Sequence, residues 1–140
     1  VLRSGTMFGP RSRLKQAIPI FIRQALANQP ITVEGDGSQS RDFNHVGNVV
    51  DAILLANQRS IAGVYNIASG EEVSILQVAK LIIDITKSSS QIIFKPWRPG
   101  EKGLRLALSI EKAKKELGYH PNVPFKEGLK RTVEWLEMMK

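Results

Sequence analysis

The chain has 140 residues, of which 42% are hydrophobic and 24% charged, so it has room for one domain with a substantial core, and no apolar run is long enough to span a bilayer. It contains no cysteine, which excludes disulfides, thiolate catalysis and cysteine metal ligands and favours a reducing cytoplasm as its compartment. Its formal net charge of +7 favours an anionic partner such as a nucleotide, a nucleic acid or an acidic surface.

Short strand-like runs alternate with amphipathic helical patterns along the chain. In chain order, the predicted elements are a strand at residues 1–3, a helix over 18–26, a strand at 31–33, a glycine turn at 35–37, an extended run over 39–46, a helix over 48–56, a strand at 64–67, a helix over 74–82, a strand at 91–94, a loop over 95–103, a short helix over 109–118 and a last helix over 124–136. This order predicts a single mixed α/β (α+β) domain over residues 1–140. The strands are too few and too short for a complete doubly wound sheet.

Polar residues at the starts of three predicted helices are typical N-caps. Ser74 with Gln77 forms a capping box, Asn48 caps the helix that follows it, and Ser109 caps the short helix that ends at Gly118. The apolar face predicted for the helix after Asn48 consists of Val49, Ala52, Ile53 and Ala56. The apolar faces predicted for the other long helices are Ile18, Phe21, Ile22, Ala25 and Leu26; Ile75, Val78, Ala79 and Ile82; and Phe125, Leu129, Val133 and Leu136.

Residues 35–43, Gly-Asp-Gly-Ser-Gln-Ser-Arg-Asp-Phe, join a glycine turn to a short extended segment that carries an arginine. Because side chains alternate along an extended segment, Arg41 and Phe43 share one face. A second arginine, Arg98, lies in a Pro/Gly loop together with Glu101. A guanidinium binds phosphate oxygens through two parallel hydrogen bonds, so the two arginines are predicted to hold a pyrophosphate while Glu101 accepts ribose hydroxyls.

Each part of this site also has a simpler interpretation. Arg41 could pair with Asp36 or Asp42 at a hairpin turn. The Pro/Gly loop could carry an exposed ion pair, which contributes little stability. Trp97 could stack on a base or only anchor its loop.

The residue patterns needed for metal binding, hydrolysis or cofactor binding do not occur in the sequence. His45 and His120 have no second histidine or carboxylate at metal-ligand spacing and no serine or cysteine partner for a hydrolytic triad, so no metal site and no catalytic residue are predicted. The sequence has no P-loop, no Gly-rich dinucleotide fingerprint and no Tyr-x-x-x-Lys pair, so no cofactor-binding residue is predicted. Basic residues fall in separate stretches at 11–15, 95–102 and 112–115 without interleaved aromatic rings, which disfavours nucleic-acid binding.

Five segments, in order, resemble the C-terminal part of the extended short-chain dehydrogenase/reductase family, the NAD-dependent nucleotide-sugar epimerases and dehydratases. Residues 30–43 match that family's pattern PI-x-V-x-GDG-x-Q-x-RDF almost letter for letter. The other resembling segments are residues 1–10, 64–75, 98–101 and 111–121. The resemblance therefore covers nearly the whole chain.

This resemblance implies the small substrate-binding lobe of such an enzyme, without its N-terminal NAD-binding Rossmann domain. It implies that Arg41 and Arg98 hold the diphosphate of a UDP-, dTDP- or GDP-sugar, that Phe43 lines the nucleotide site and that Glu101 takes ribose hydroxyls. NAD(P) and the groups for hydride transfer at the sugar C4 would then belong to the absent domain. The chain alone would bind no cofactor and would be inactive.

The same resemblance implies that this lobe packs against the NAD-binding domain of its own enzyme. Apolar surface left exposed without that domain could drive self-association into a homo-oligomer. A non-catalytic module that senses nucleotide sugars or serves as a scaffold is an open alternative. A basic nucleic-acid-binding domain is the least favoured one, because the charge is scattered.

Overall fold

A computed structural model describes residues 1–59 and 61–139. Its strands are β1 (Leu2–Ser4), β2 (Thr6–Phe8), β3 (Ile31–Glu34), β4 (Ser40–Arg41), β5 (Phe43–His45), β6 (Tyr65–Ile67), β7 (Val73–Ser74) and β8 (Ile92–Lys95). Its helices are α1 (Ala17–Leu26), α2 (Val46–Gln58), α3 (Ile75–Thr86) and α4 (Phe125–Met138), with a π-helical segment at Ala113–Leu117. Among these described residues, no helix is both long and apolar enough to cross a membrane.

The described strands associate in pairs. β1 pairs with β6, β2 with β5 and β3 with β8, all in parallel, whereas β4 and β7 pair antiparallel. Parallel strands need a crossover connection, and each of the parallel pairs is joined by chain that contains at least one helix. The mixed α/β class predicted from the sequence is confirmed. The strands form short two-stranded ladders in the described part of the chain, in agreement with the expectation that they could not make a doubly wound sheet.

The larger hydrophobic core lies between α1, α3, α4 and the strands β2, β3 and β5. The predicted apolar faces of these three helices are confirmed, since all of their residues are buried in this core or packed against it. Phe8 lies at its centre, 5.3 Å from the Phe125 ring and 6.3 Å from the Phe43 ring between centroids, with the second contact edge to face. Such ring contacts add to the burial energy and hold β2, β5 and α4 together.

A second, smaller core lies around α2, β6 and the π-helical segment. Its largest buried side chains are Tyr65, Ile67, Leu117 and Tyr119. The Tyr119 hydroxyl donates to the Ala68 carbonyl at 2.8 Å, so its polar end is satisfied inside the core, and burial raises the pKa of Tyr119.

The start of α2 corrects one prediction. The helix begins at Val46, and its N-cap is His45, whose Nδ1 accepts a hydrogen bond from a first-turn N–H at 3.1 Å. Asn48 is therefore not the cap. It is buried, donates to Asn44 Oδ1 at 2.9 Å and accepts from the Val123 N–H at 2.8 Å. This side chain ties α2 to the loop before α4, 75 residues away, a contact that no local pattern encodes.

The apolar face of α2 corrects a second prediction. Ala52 is buried as expected, but Ile53 is 53% exposed. Val46, Val50 and Leu54 are exposed as well, and their helical spacing places them on the same side as Ile53. We call Val46, Val50, Ile53 and Leu54 the α2 stripe. Val49 and Ala56 pack against the smaller core, so the predicted face is right at three of its four residues and wrong at Ile53.

The predicted short helix before Gly118 takes a different form. Helical backbone begins at Glu111, two residues after the predicted cap Ser109, and becomes π-helical at Ala113–Leu117. Ser109 lies one residue too early to be its N-cap, and its carbonyl accepts from the Asn66 side chain at 3.0 Å, which holds the residue against β6. Gly118 ends the segment in the left-handed conformation with φ of 69°, as predicted for a C-terminal glycine.

Candidate functional site

A cleft of about 400 Å³ opens between the start of α1, the strands β2 and β3, the β4–β5 run and the loop after β8. This volume is in the range of small-molecule sites. The substrate-binding residues predicted from the sequence, Arg41, Phe43, Arg98 and Glu101, all line it. Part of its wall is apolar and consists of Phe8, Ala17, Ile18, Phe21, Phe43 and Ile75. The fold thus brings together two segments that are 60 residues apart in sequence.

Alternation along β4 and β5 determines which side chains face the cleft. Gln39, Arg41 and Phe43 line it. The residues between them, Ser40 and Asp42, bind instead to the turn that links β6 to β7. Asp42 is buried and accepts three hydrogen bonds from that turn, at 2.7, 2.8 and 3.0 Å. The predicted shared face of Arg41 and Phe43 is confirmed, and Asp42 is not the partner of Arg41.

The glycine turn before this run has the predicted conformation. Gly35 and Gly37 have φ of 63° and 75°. Asp36 accepts from the Ser38 N–H at 2.8 Å, and hydrogen bonding from Ser38 lowers the pKa of Asp36. Asp36 is therefore engaged inside the turn, and the interpretation in which it pairs with Arg41 is wrong.

Trp97 anchors the loop that carries the second arginine. Its ring lies against Gly35 so closely that a Cβ at Gly35 would come within 2.2 Å of a ring carbon. Only glycine leaves room for this contact. Trp97 is half-buried and does not line the cleft, so of its two interpretations the structure agrees with the anchor.

Arg41 is held firmly at the edge of the cleft. One guanidinium nitrogen donates to Glu101 Oε1 at 3.2 Å, and another donates to the Ser40 carbonyl at 3.0 Å. The two charged side chains are only 17% and 21% exposed. Partial burial weakens solvent screening, so the guanidinium has a defined position before any ligand arrives.

Arg98 is the more exposed of the two cations. Its side chain is 63% exposed and pairs with Glu34 at 2.8 Å, with Glu101 further away at 3.9 Å. The neighbouring Glu34 raises the pKa of Arg98. The predicted Arg98–Glu101 ion pair is present but long, and Glu34 is the main partner. Both arginines thus converge on Glu101 Oε1.

Two further cations at the cleft were not singled out from the sequence. Lys15 and Lys95 line it, although they belong to basic stretches that looked separate along the chain. α1 also begins at the cleft, with Gln16 as an N-cap that makes no side-chain hydrogen bond to the helix. The positive end of its dipole and its first N–H groups favour an anion there. To predict that Lys15, Lys95 and the start of α1 share one cleft, one would have to know that β3 pairs with β8 and where α1 lies.

The remaining basic stretch and the histidines lie elsewhere. Lys112 lies over the Tyr65 ring at 4.7 Å, His45 caps α2 and His120 is exposed. Within residues 1–59 and 61–139, no group of three or more histidine or acidic side chains is arranged to hold a metal ion.

Comparison with known proteins identifies the family. The family model described as GDP-mannose 4,6 dehydratase matches residues 4–132. The chain belongs to this family of nucleotide-sugar dehydratases and epimerases. A UDP-N-acetyl-alpha-D-glucosaminuronate decarboxylase from Bacillus cytotoxicus is 34% identical over 96% of this chain and 45% of its own length. The dTDP-D-glucose 4,6-dehydratase of Homo sapiens is 34% identical over 96% of the chain and 40% of its own length.

Solved structures of family members have the same fold. The UDP-glucose 4-epimerase of Thermotoga maritima, with UDP-glucose, has a TM-score of 0.92 at 35% identity, over 99% of this chain and 46% of that one. The UDP-glucuronic acid 4-epimerase of Bacillus cereus, with UDP-glucuronic acid and NAD, has a TM-score of 0.90 at 32% identity, over 99% and 45%. This chain therefore spans less than half the length of the relatives it matches.

Members of this family are NAD-dependent, but the described residues of this chain include no Gly-rich strand-to-helix turn for a dinucleotide. A dinucleotide pyrophosphate binds where a Gly-rich turn leads from a strand into an open helix N-terminus. At the direct strand-to-helix junctions of the described residues, β5–α2 and β7–α3, one first-turn N–H is bound by the side chain of His45 or Ser74, whereas the open start of α1 lies at the cleft described above. We assign no residue of this chain to the cofactor.

Proposed function

We propose that this chain is the substrate-binding part of an NAD-dependent nucleotide-sugar epimerase or dehydratase, and that its cleft binds the nucleoside diphosphate of a UDP-, dTDP- or GDP-sugar. The observation that carries this proposal is the convergence of Arg41 and Arg98 on Glu101 at the rim of a cleft with an apolar wall. Two guanidinium groups suit a diphosphate, and the adjacent apolar wall suits a base or a sugar ring.

Arg41 is the residue we expect to contribute most. Its guanidinium is already held in place by Glu101 and a backbone carbonyl, so little side-chain freedom is lost when a phosphate binds. Lys15, Lys95 and the open start of α1 add positive potential around the same space. The anionic part of the ligand therefore fits at this end of the cleft.

Glu101 suits the ribose. Its Oε1 faces the two arginines, while its Oε2 makes no hydrogen bond within the described part of the chain. A carboxylate oxygen of this kind accepts from hydroxyl groups and repels phosphate. Phe43 is 4% exposed and makes part of the wall behind Arg41, where a ring can contact the nucleoside.

The rest of the enzyme would supply NAD and the groups that act on the sugar. That remainder, an NAD-binding domain of the same enzyme, would cover the α2 stripe, because exposed apolar surface of this kind is typical of a packing interface. We propose that the chain alone has no epimerase or dehydratase activity. Turnover of UDP-glucose by the purified chain with NAD, above a blank without protein, would contradict this.

To test the site, the purified chain is titrated with UDP, dTDP, GDP and CDP, and binding is measured by calorimetry and by amide chemical shifts in NMR. We expect Arg41→Ala to weaken binding of the preferred nucleotide about ten- to a hundredfold, the value of one charge-assisted hydrogen-bond pair. Arg98→Ala should weaken it less, about three- to tenfold, because that side chain is largely exposed.

The matched control is Arg131→Ala. Arg131 lies on α4 in an exposed ion pair with Glu127 at 2.9 Å and does not line the cleft, so the substitution removes the same charge at a distance from the site. It should leave the nucleotide Kd unchanged. If Arg41→Ala and Arg131→Ala bind equally well, the proposed site is wrong.

A further inference from the structure

One buried polar atom beside the cleft has no partner. Gln39 is 2% exposed and lines the cleft on the same strand face as Arg41 and Phe43. Its Nε2 donates to the Glu34 carbonyl at 3.0 Å, but its buried Oε1 has no hydrogen-bond partner in residues 1–59 and 61–139. Buried acceptors are normally paired, because an unpaired one has lost its bonds to water without replacement.

The contact with Glu34 determines which way the amide points. A carbonyl oxygen only accepts hydrogen bonds, so the NH₂ end of Gln39 faces Glu34 and the oxygen end faces away. Exchanging the two ends would bring two oxygens together. Glu34 ends β3 and Gln39 leads into β4, so the Gln39 amide bridges two walls of the cleft. Its oxygen, Oε1, is the acceptor that remains without a hydrogen bond in the described residues.

We infer that Gln39 Oε1 accepts a hydrogen bond from the nucleoside part of the ligand, from a base N–H or a ribose O–H, and that Gln39 thereby selects among nucleotides. This inference rests on the proposed function. An ionised phosphate offers only lone pairs, so the acceptor of Gln39 cannot serve the diphosphate. Gln39, Arg41 and Phe43 then present an acceptor, a cation and a ring in sequence along one face, with about 6.6 Å between neighbours.

Gln24 provides a matched comparison within the same chain. Its Oε1 is also buried and has no hydrogen-bond partner among the described residues, and its Nε2 donates to Thr32 at 3.4 Å, but Gln24 does not line the cleft. Replacement of either glutamine by methionine removes the same atoms and keeps the side-chain length. Any difference in ligand selection between the two variants then comes from position at the cleft.

The experiment titrates the parent chain, Gln39→Met and Gln24→Met with UDP, CDP, 2′-deoxy-UDP and 3′-deoxy-UDP by calorimetry. CDP has a lone pair where uracil has its N3–H donor, and each deoxy nucleotide lacks one ribose hydroxyl. In the parent, we expect one of these ligand changes to weaken binding about three- to tenfold, the value of one neutral hydrogen bond. The same change should have no effect in Gln39→Met, while Gln24→Met should behave as the parent does.

The ligand change that has no effect in Gln39→Met identifies the donor. If the affinity difference between UDP and CDP is lost in this variant, the donor is on the base; if the effect of removing a ribose hydroxyl is lost, the donor is that hydroxyl. Equal ligand effects in the parent and in Gln39→Met would overturn the inference, even if Gln39→Met bound every ligand more weakly. If Gln39→Met does not fold, Gln39→Leu removes the same acceptor and must also lose the parent's preference; a Gln39→Leu variant that keeps this preference would overturn the inference too.

The two proposals fail in different ways. If the parent binds none of the nucleotides, the proposed function is wrong and the inference falls with it. If the parent binds UDP in a manner that depends on Arg41, but no ligand change couples to Gln39, only the inference about Gln39 is wrong.

Discussion

A methyl group added at Gly35 tests whether the Trp97 contact holds the site together. In Gly35→Ala the new Cβ would lie 2.2–2.4 Å from three carbons of the Trp97 ring, so the ring must leave its place. The φ of 63° adds backbone strain, which costs about 1–2 kcal/mol for a residue with a side chain. Displacement of a packed ring adds roughly 1–3 kcal/mol. We expect a total loss in the free energy of unfolding of about 2–5 kcal/mol.

Gly103→Ala separates strain from the ring contact. Gly103 has nearly the same conformation, with φ of 73°, but nothing lies within 4 Å of a Cβ built there. This variant should lose only the backbone part, about 1–2 kcal/mol. Urea unfolding followed by circular dichroism measures both variants, and UDP titration measures their sites. Because Trp97 anchors the loop that carries Arg98 and Glu101, Gly35→Ala should also bind UDP more weakly than Gly103→Ala does. Equal losses in the two variants would refute the reasoning.

Three further predictions concern other parts of the molecule. Burial lowers the pKa of His45 from its ordinary 6.5, so the unfolding free energy should fall as the pH drops below about 6.5 and should level off below the pKa of the folded state. The variant His45→Asn keeps a capping acceptor and should remove this fall, as measured by urea titrations between pH 7 and pH 5. Arg105 holds the pKa of Glu72 at about 2 through a bidentate ion pair with N–O distances of 2.7 and 2.8 Å. Arg105→Ala should raise the pKa of Glu72 toward its ordinary 4.5 in an NMR carboxyl titration, and the acid destabilisation between these two pKa values should disappear. An unchanged pKa of Glu72 in this variant would contradict the assignment. Substitution of Ile53 and Leu54 by glutamate should abolish any self-association of the chain in light scattering, and an unaffected oligomer would mean that the α2 stripe is not its interface.

What the sequence predicted well is local. The capping box of Ser74 and Gln77 forms as expected, with bonds of 2.8 and 3.1 Å, because both partners lie within one turn. The shared face of Arg41 and Phe43 follows from strand alternation alone. In such cases the residues that decide the structure are close together in sequence.

What it predicted badly depends on distant partners. Asn48 looks like a cap, but its role is set by Val123, which lies 75 residues further on. Ser109 lies one residue before the N-cap position of the helical backbone, and its carbonyl is bound by Asn66, 43 residues away. Lys15 and Lys95 appeared as unrelated surface charges, and only the pairing of β3 with β8 beside α1 brings them to one cleft. Periodicity carries no information about contacts of this range.

The carboxylates beside the arginines are consistent with a site for a diphosphate. Exposed ion pairs are worth only about 0–1 kcal/mol, so Arg98 can exchange Glu34 for a phosphate at little cost. A charge-assisted hydrogen bond to phosphate is worth about 1.5–3 kcal/mol, which favours the exchange. Without a ligand, Glu101 Oε1 lies 3.2 Å from Arg41 and 3.9 Å from Arg98, so its negative charge offsets the repulsion between the two guanidinium groups. Glu101 Oε1 stays paired with Arg41 in such an exchange, so in our proposal it is Glu101 Oε2 that accepts a ribose hydroxyl.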